Sequence, residues 1–304
     1  MQTATVERPV AAIAPPAGNA AAVTGRPAAQ GIARGALVDP RAIAPRPASQ
    51  ARLPRWLQRL AGPALLLLGW HLLASLQVFD PRTTPAPLTV LRTATDLAGS
   101  GVLLDNLLAS LQLVVKGLAL GLSVGLTAAV AAGLSRAGEN IVDANMEILR
   151  AIPNFALLPI LIAWFGIDDV SKVLLIALHV IVCIYINTYS AIRNVDAGLI
   201  EAARTFGVKQ RELITSVILP GALPGFLVGL RLALTGAWLS LIFAETINAP
   251  VGLGRMMSDA REYFRVDVIF VLLAVYALLG LLSLACVRYL EARLLTWRRA
   301  FDGT

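Results

Sequence analysis

Long apolar runs separated by short charged segments constrain the fold of this chain more than any other feature. A bilayer core about 30 Å thick is crossed by a helix of roughly 20 apolar residues, and a helix satisfies its own backbone hydrogen bonds there. In total 57% of the residues are hydrophobic and 15% are charged, whereas about a quarter are charged in a soluble protein. The sequence therefore predicts an all-α integral membrane protein with about six transmembrane helices, at residues 62–79, 113–134, 149–166, 172–192, 222–247 and 268–288.

The basic residues predict how these helices are oriented. Lys and Arg are more frequent in the segments that share a side with the N-terminal region, which include Arg136, Arg150 and Arg193. The positive-inside rule then places both termini and residues 193–221 in the cytoplasm. We attribute the formal net charge of +7 to this topology and to contact with anionic membrane lipid, rather than to nucleic acid.

The first 50 residues differ from the rest in composition. Residues 1–50 are rich in Ala, Pro and Arg and poor in large apolar side chains, so they cannot bury enough surface to offset their ordering entropy. We predict a disordered tail at 1–50 and a transmembrane domain over 51–304. An organelle transit peptide is the alternative for this basic, acid-poor tail, whereas no apolar stretch suggests a secretory signal.

Residues that could carry chemistry are few. Cys183, Cys286, His71 and His179 lie inside apolar runs without the spacing of metal ligands, and we interpret them as packing residues. We find no nucleophile–base pair and no G-x-x-x-x-G-K-[ST] phosphate loop. The sequence thus predicts no metal, no cofactor and no enzymatic activity in this chain.

The segment between the fourth and fifth predicted spans, EAARTFGVKQRELITSVILPGALP at 201–224, interrupts the apolar pattern. Asp196 can cap a short helix, and Gly207 stands where a left-handed residue would end it. Its apolar residues fall on one face: Leu199, Ile200, Ala203 and Phe206. A second amphipathic helix follows with Leu213, Ile214, Val217 and Ile218, before Pro220 and Pro224 lead back into the membrane. We predict a cytoplasmic helix–turn–helix. A plain connector between two spans would need only a few polar residues.

These residues resemble the EAA loop of permease subunits of ATP-binding-cassette (ABC) importers, whose pattern is E-A-A-x3-G-x9-[IV]-x-L-P. The resemblance implies a type I importer permease fold, similar to the methionine permease MetI, with a core at about 103–290 and a coupling loop at 196–224. It also implies that the first helix docks on a separate ATPase. The coupling residues would be Leu199, Glu201, Ala202, Ala203, Phe206, Gly207, Leu219 and Pro220.

Four further stretches are similar to the nitrate, sulfonate and taurine branch of these permeases, and most similar to aliphatic sulfonate permeases. They are LRAIPNFALLPILIAWFGIDD, YINTYSAIRNVD, VILPGALPG and WLSLIFAETI. The resemblance implies import of a small oxyanion across the cytoplasmic membrane. This oxyanion would be an aliphatic sulfonate, with taurine and nitrate or bicarbonate as alternatives. It further implies a periplasmic or extracellular binding protein, a cytoplasmic ATP-binding subunit and a second permease copy as partners. A stand-alone secondary transporter and an assembly protein are competing classes, but the chain shows no convincing repeat.

Four residues are candidates for the substrate path. Pro153 and Pro159 interrupt the third predicted span, which a water-filled cavity or simple kinked packing would explain equally. Asn187 could line a polar path or join helices. The Arg231 guanidinium could bind an oxyanion. The alternative is an ion pair with a carboxylate from another helix or from the partner ATPase. We expect Glu245, near the outer end of the fifth span, either to reach the membrane surface or to meet an arginine of an outer loop.

Overall fold

The computed structural model describes residues 55–76, 78, 80 and 83–297. Helices account for most of this part of the chain, and it contains no strand. The predicted disordered tail at 1–50 lies outside the described residues. The helices are α1 (Arg55–Ser75), α2 (Pro87–Gly99), α3 (Val102–Leu134), α4 (Arg136–Ala151), α5 (Leu158–Phe165), α6 (Asp169–Arg193), α7 (Ala197–Thr205), α8 (Gln210–Leu213), α9 (Leu219–Asn248), α10 (Leu253–Glu262) and α11 (Val266–Leu294).

Four helical segments of the described chain are long and apolar enough to cross a membrane: α3, α6, the segment Gln210–Ile247 that includes most of α9, and α11. A fifth span results if α4 and the helical residues Asn154–Phe165 are counted together, despite a bend of 94° between them. The apolar part of α1, Ala61–Ser75, is shorter. The all-helical membrane architecture is confirmed, while the number of about six spans stays a prediction.

The third apolar run, 149–166, is interrupted, as its two prolines indicate, and does not form one continuous helix. α4 ends at Ala151, Ile152 is extended (φ −83°, ψ 125°), and a 3₁₀ turn at Asn154–Leu157 precedes α5. Pro153 disfavours the helical conformation of the residue before it, whereas Pro159 stands in the first turn of α5, where a missing N–H costs nothing. The two prolines therefore end one helix and begin another, instead of bending one.

The core is built where α3, α6 and α9 pack together. Gly117 and Gly121 of α3 face Ile176 and Val180 of α6, and a Cβ on Gly121 would lie 2.5 Å from the Val180 Cβ. Such close approach of two helices requires residues without side chains. The buried core on α6 and α9 continues through Ile184, Leu227, Ala233, Ala237 and Leu241. Many large apolar side chains elsewhere are exposed, as expected for surfaces that face lipid.

Candidate coupling hairpin and substrate path

The helix α7 begins at the cap that the sequence predicts. The Asp196 carboxylate accepts a hydrogen bond of 2.7 Å from the backbone N–H of Gly198. This cap satisfies one of the N–H groups that have no partner within a helix. The prediction of a short helix after Asp196 is confirmed, with α7 spanning Ala197–Thr205.

Gly207 ends this helix in the left-handed conformation, also as predicted, with φ of 76°. Its N–H donates to the Arg204 carbonyl at 2.9 Å, and the Val208 N–H donates to the Ala203 carbonyl at 3.1 Å. No other atom lies within 4 Å of a Cβ built on Gly207. Glycine is therefore required here by the left-handed backbone conformation and not by a lack of space for a side chain.

The four apolar residues of this helix do not share one environment. Ile200 and Ala203 are half-buried, whereas the exposed fraction is 59% for Leu199 and 87% for Phe206. Leu199 and Phe206 thus present apolar surface to whatever lies beyond the hairpin. Among the other predicted coupling residues, Glu201, Ala202 and Leu219 are exposed and Pro220 is half-buried.

The second half of the hairpin leads into α9 without a break. α8 is followed by a π-helical turn at Ile214–Ile218, in which the Leu219 N–H donates to the Ile214 carbonyl. Pro220 has no N–H for the carbonyl of Ser216, so an α-helical hydrogen bond is impossible there. The π turn widens the helix at this point. Pro220 and Pro224 both lie within the helical segment that leads from the hairpin into the fifth predicted span.

The four predicted path residues do not come together. Pro153 lines a cavity of about 250 Å³ between the α4–α5 break and α6, while Pro159 is exposed at the start of α5. The Asn187 amide donates to the Cys183 carbonyl of its own helix at 2.9 Å. Arg231 forms an ion pair with Glu291 of α11, which is the alternative that the sequence analysis left open.

Asn154 is a polar residue of this region that the sequence analysis missed. Its amide donates to the Ser240 hydroxyl of α9 at 3.0 Å, and it lines the same cavity as Pro153. Other members of the lining are Leu149, Arg150, Ile152, Leu157, Leu178, His179, Val182 and Cys183. The break after α4 is thereby attached to the core.

A ladder of polar contacts joins α4 to α6. The Tyr185 hydroxyl donates to Asp143 at 3.0 Å, the Tyr189 hydroxyl donates to Glu139 at 2.7 Å, and Arg193 lies 3.2 Å from Glu139. The spacing of Glu139, Asp143, Glu147 and Arg150 is that of one helical face, so the sequence indicates a polar face on α4 but not its partners on α6.

Glu245 is buried and its hydrogen-bond partners are Ser110 and Gly254 rather than an outer-loop arginine, so our expectation for it is wrong. Its side chain is fully buried and accepts hydrogen bonds of 2.7 Å from the Ser110 hydroxyl and from the Gly254 N–H. The Leu253 N–H donates in turn to Ser110 at 2.9 Å. A buried carboxylate needs such partners, and here they join α3, α9 and the first turn of α10.

A comparison with known protein families identifies the family to which this chain belongs. Residues 121–296, which include the whole hairpin, match the family described as "binding-protein-dependent transport system inner membrane component". The chain belongs to this family. It is an ABC transporter permease and a multi-pass protein of the inner membrane.

Relatives of this permease carry more specific names. An aliphatic sulfonates transport permease protein, SsuC, of Escherichia coli is 41% identical over 250 residues, which cover 81% of this chain and 95% of the relative. The protein of the same name from Bacillus subtilis is 39% identical and covers 82% and 90%. The taurine transport system permease protein TauC of Escherichia coli is 35% identical, with 77% and 87% covered.

Solved structures share the fold of the permease. An amino acid ABC transporter, crystallised with histidines, matches with a TM-score of 0.55 at 20% identity and covers 66% of this chain and 97% of that chain. The inward-facing methionine transporter MetNI matches with a TM-score of 0.52 at 21% identity, covering 62% and 95%. The predicted MetI-like architecture is therefore confirmed.

Proposed function

We propose that this permease forms the membrane path of an ATP-driven importer for a small oxyanion, an aliphatic sulfonate. The observation that carries this proposal is the identity of 39% and 41% to two permeases that are named for aliphatic sulfonates, over nearly the whole length of each. Taurine is itself an aminoalkyl sulfonate, so the similarity to a taurine permease supports the same chemical class. Nitrate and bicarbonate are the remaining alternatives.

The proposed site of ATPase coupling is α7 with the turn that follows it. Leu199 and Phe206 are exposed apolar residues on a short, capped helix, and apolar surface outside a membrane is typical of a protein interface. In this proposal ATP hydrolysis takes place on a separate cytoplasmic subunit, to which α7 binds. The other coupling residues of this proposed interface are Glu201, Ala202, Ala203, Gly207, Leu219 and Pro220.

The proposed assembly has further members. A binding protein delivers the sulfonate from outside, and a second copy of the permease completes the path, in accord with the general preference for two-fold symmetric pairs. Both termini lie in the cytoplasm, as the basic residues predict.

Uptake by a reconstituted complex tests the proposed function. The permease is placed in proteoliposomes with its ATP-binding subunit and binding protein, and the uptake of radiolabelled ethanesulfonate, taurine and nitrate is measured with and without ATP. We expect ATP-dependent uptake of the two sulfonates. Uptake of nitrate alone would refute the substrate class, and uptake driven by an ion gradient without ATP would refute the importer.

A further inference from the structure

Arg150 lies deep in the transmembrane region. The pairs Glu139–Tyr189 and Asp143–Tyr185 show that α4 runs antiparallel to α6. Continuing this register places Arg150 beside Leu178, His179 and Val182, near the middle of the 25-residue helix α6, and these residues line one cavity with it. Arg150 is therefore not at the cytoplasmic end of a span, where the sequence analysis counted it.

The Arg150 guanidinium has only a weak partner. It lies 3.8 Å from the Glu147 carboxylate, and the two side chains are 52% and 63% exposed. Such a pair contributes little to stability. Arg231, in contrast, is held by Glu291 of a different helix. An arginine at membrane depth normally faces protein, a water-filled cavity or an anion.

Two cavities meet at Arg150. One, of about 250 Å³, extends towards α5 and has the polar residues Asn154, His179 and Cys183 in its wall. The other, of about 210 Å³, extends along α6 past Tyr185 and Tyr189 towards Ser190. The two linings share Arg150 and follow successive turns of α6, and we refer to the two cavities together as the groove.

We propose that Arg150 binds the anionic head group of the transported sulfonate where these two cavities meet. This inference rests on the proposed function and assigns a residue to the substrate path. A guanidinium can donate two parallel hydrogen bonds to two oxygens of a sulfonate, and Leu149, Leu178 and Val182 offer an apolar wall to its alkyl chain. When no substrate is present, Glu147 is the weak partner of the guanidinium.

Three carboxylates of α4 lie in the groove or beside it, and two of them already have other partners. Glu139 is neutralised by Arg193 and accepts from Tyr189, and Asp143 accepts from Tyr185. Glu147 is the carboxylate nearest to Arg150. Removing its charge should therefore strengthen anion binding, which separates this proposal from a purely structural ion pair.

Labelling of the native Cys183 tests the proposal without any transport step. In full-length permease carrying Cys286→Ser, the Cys183 thiolate forms a mixed disulfide with a methanethiosulfonate reagent and methanesulfinate leaves. The rate is compared for the anionic 2-sulfonatoethyl reagent and the cationic 2-(trimethylammonium)ethyl reagent. We expect Arg150→Gln to lower the ratio of anionic to cationic rates about ten-fold, as for the loss of one charge-assisted contact.

The matched control is Arg136→Gln, which removes an exposed arginine at the other end of α4 and should leave the ratio unchanged. An unchanged ratio in Arg150→Gln would overturn the proposal. A Cys183 that reacts with neither reagent would overturn it too, because the groove must admit water and anions.

Uptake of ethanesulfonate by the reconstituted complex gives the second test. We expect Arg150→Gln to lower kcat/KM about ten-fold or more, Arg150→Lys to restore part of the loss, and Glu147→Gln to retain or raise uptake. Equal losses in Glu147→Gln and Arg150→Gln would indicate a structural ion pair and reject the assignment. Wild-type complex that transports no sulfonate would refute the proposed function, whereas the labelling ratio still decides whether Arg150 attracts anions.

Discussion

At the scale of single residues, Glu245 connects three helices through one carboxylate. Glu245→Gln keeps the shape but replaces one acceptor oxygen by a donor, so that either Gly254 or Ser110 loses its acceptor. A buried donor without a partner costs about 1–3 kcal/mol. We expect a clearly lower midpoint of thermal unfolding of the purified permease in detergent. Glu262→Gln, at an exposed glutamate of α10, is the control and should change little; equal midpoints for both variants would contradict this role.

Gly207 allows a second test at the same scale. Ala at φ of 76° is strained by about 1–2 kcal/mol, while Asn tolerates the left-handed conformation better. The strain would shift the end of α7 and the position of Phe206 beside it. We therefore expect Gly207→Ala to retain less ATP-binding subunit on co-purification than Gly207→Asn does. The opposite order would show that the conformation of Gly207 is not required for coupling.

At the scale of elements, the exposed face of α7 is the proposed contact with the ATPase. Phe206→Ser removes an apolar side chain that touches little of the permease itself, so the fold should persist while the contact is lost. We expect the retained ATP-binding subunit to fall about ten-fold or more, as measured by co-purification. Phe264→Ser is the matched control, because both phenylalanines are 87% exposed. If the two variants retain the subunit equally, α7 is not the docking helix.

The elements also show which features could be predicted from sequence. Asp196 and Gly207 act on backbone groups within a few residues, so local pattern sufficed for both ends of α7. Pro153 correctly indicated an interruption, but the bend of 94° depends on where α5 and α6 pack. The sequence does not predict the π turn. Pro220 leaves a preceding carbonyl without its usual N–H donor, and a helix can accommodate this loss in more than one way.

At the scale of the whole molecule, the partners of charged residues escaped prediction because they are distant in sequence. Ser110 and Glu245 are 135 residues apart, and Arg231 and Glu291 are 60 apart. No periodicity within one helix reports such pairs. Arg150 illustrates the same limit, because the positive-inside rule places a basic residue near a helix end in the cytoplasm, whereas the position of Arg150 depends on how α4 packs along α6. The apolar runs predicted the membrane class, and only the packing identified the candidate path.

The orientation of the whole permease gives a final prediction. Phe206 and Tyr263 are both strongly exposed and lie at opposite ends of α9, whose 30 residues extend about 45 Å. One must therefore be cytoplasmic and the other external. In a background with Cys183→Ser and Cys286→Ser, we expect a membrane-impermeant maleimide to label Tyr263→Cys in intact spheroplasts, and Phe206→Cys only after permeabilisation. The background protein serves as the unlabelled control. Labelling of Phe206→Cys in intact spheroplasts would place the hairpin outside, where no cytoplasmic ATPase could hold it.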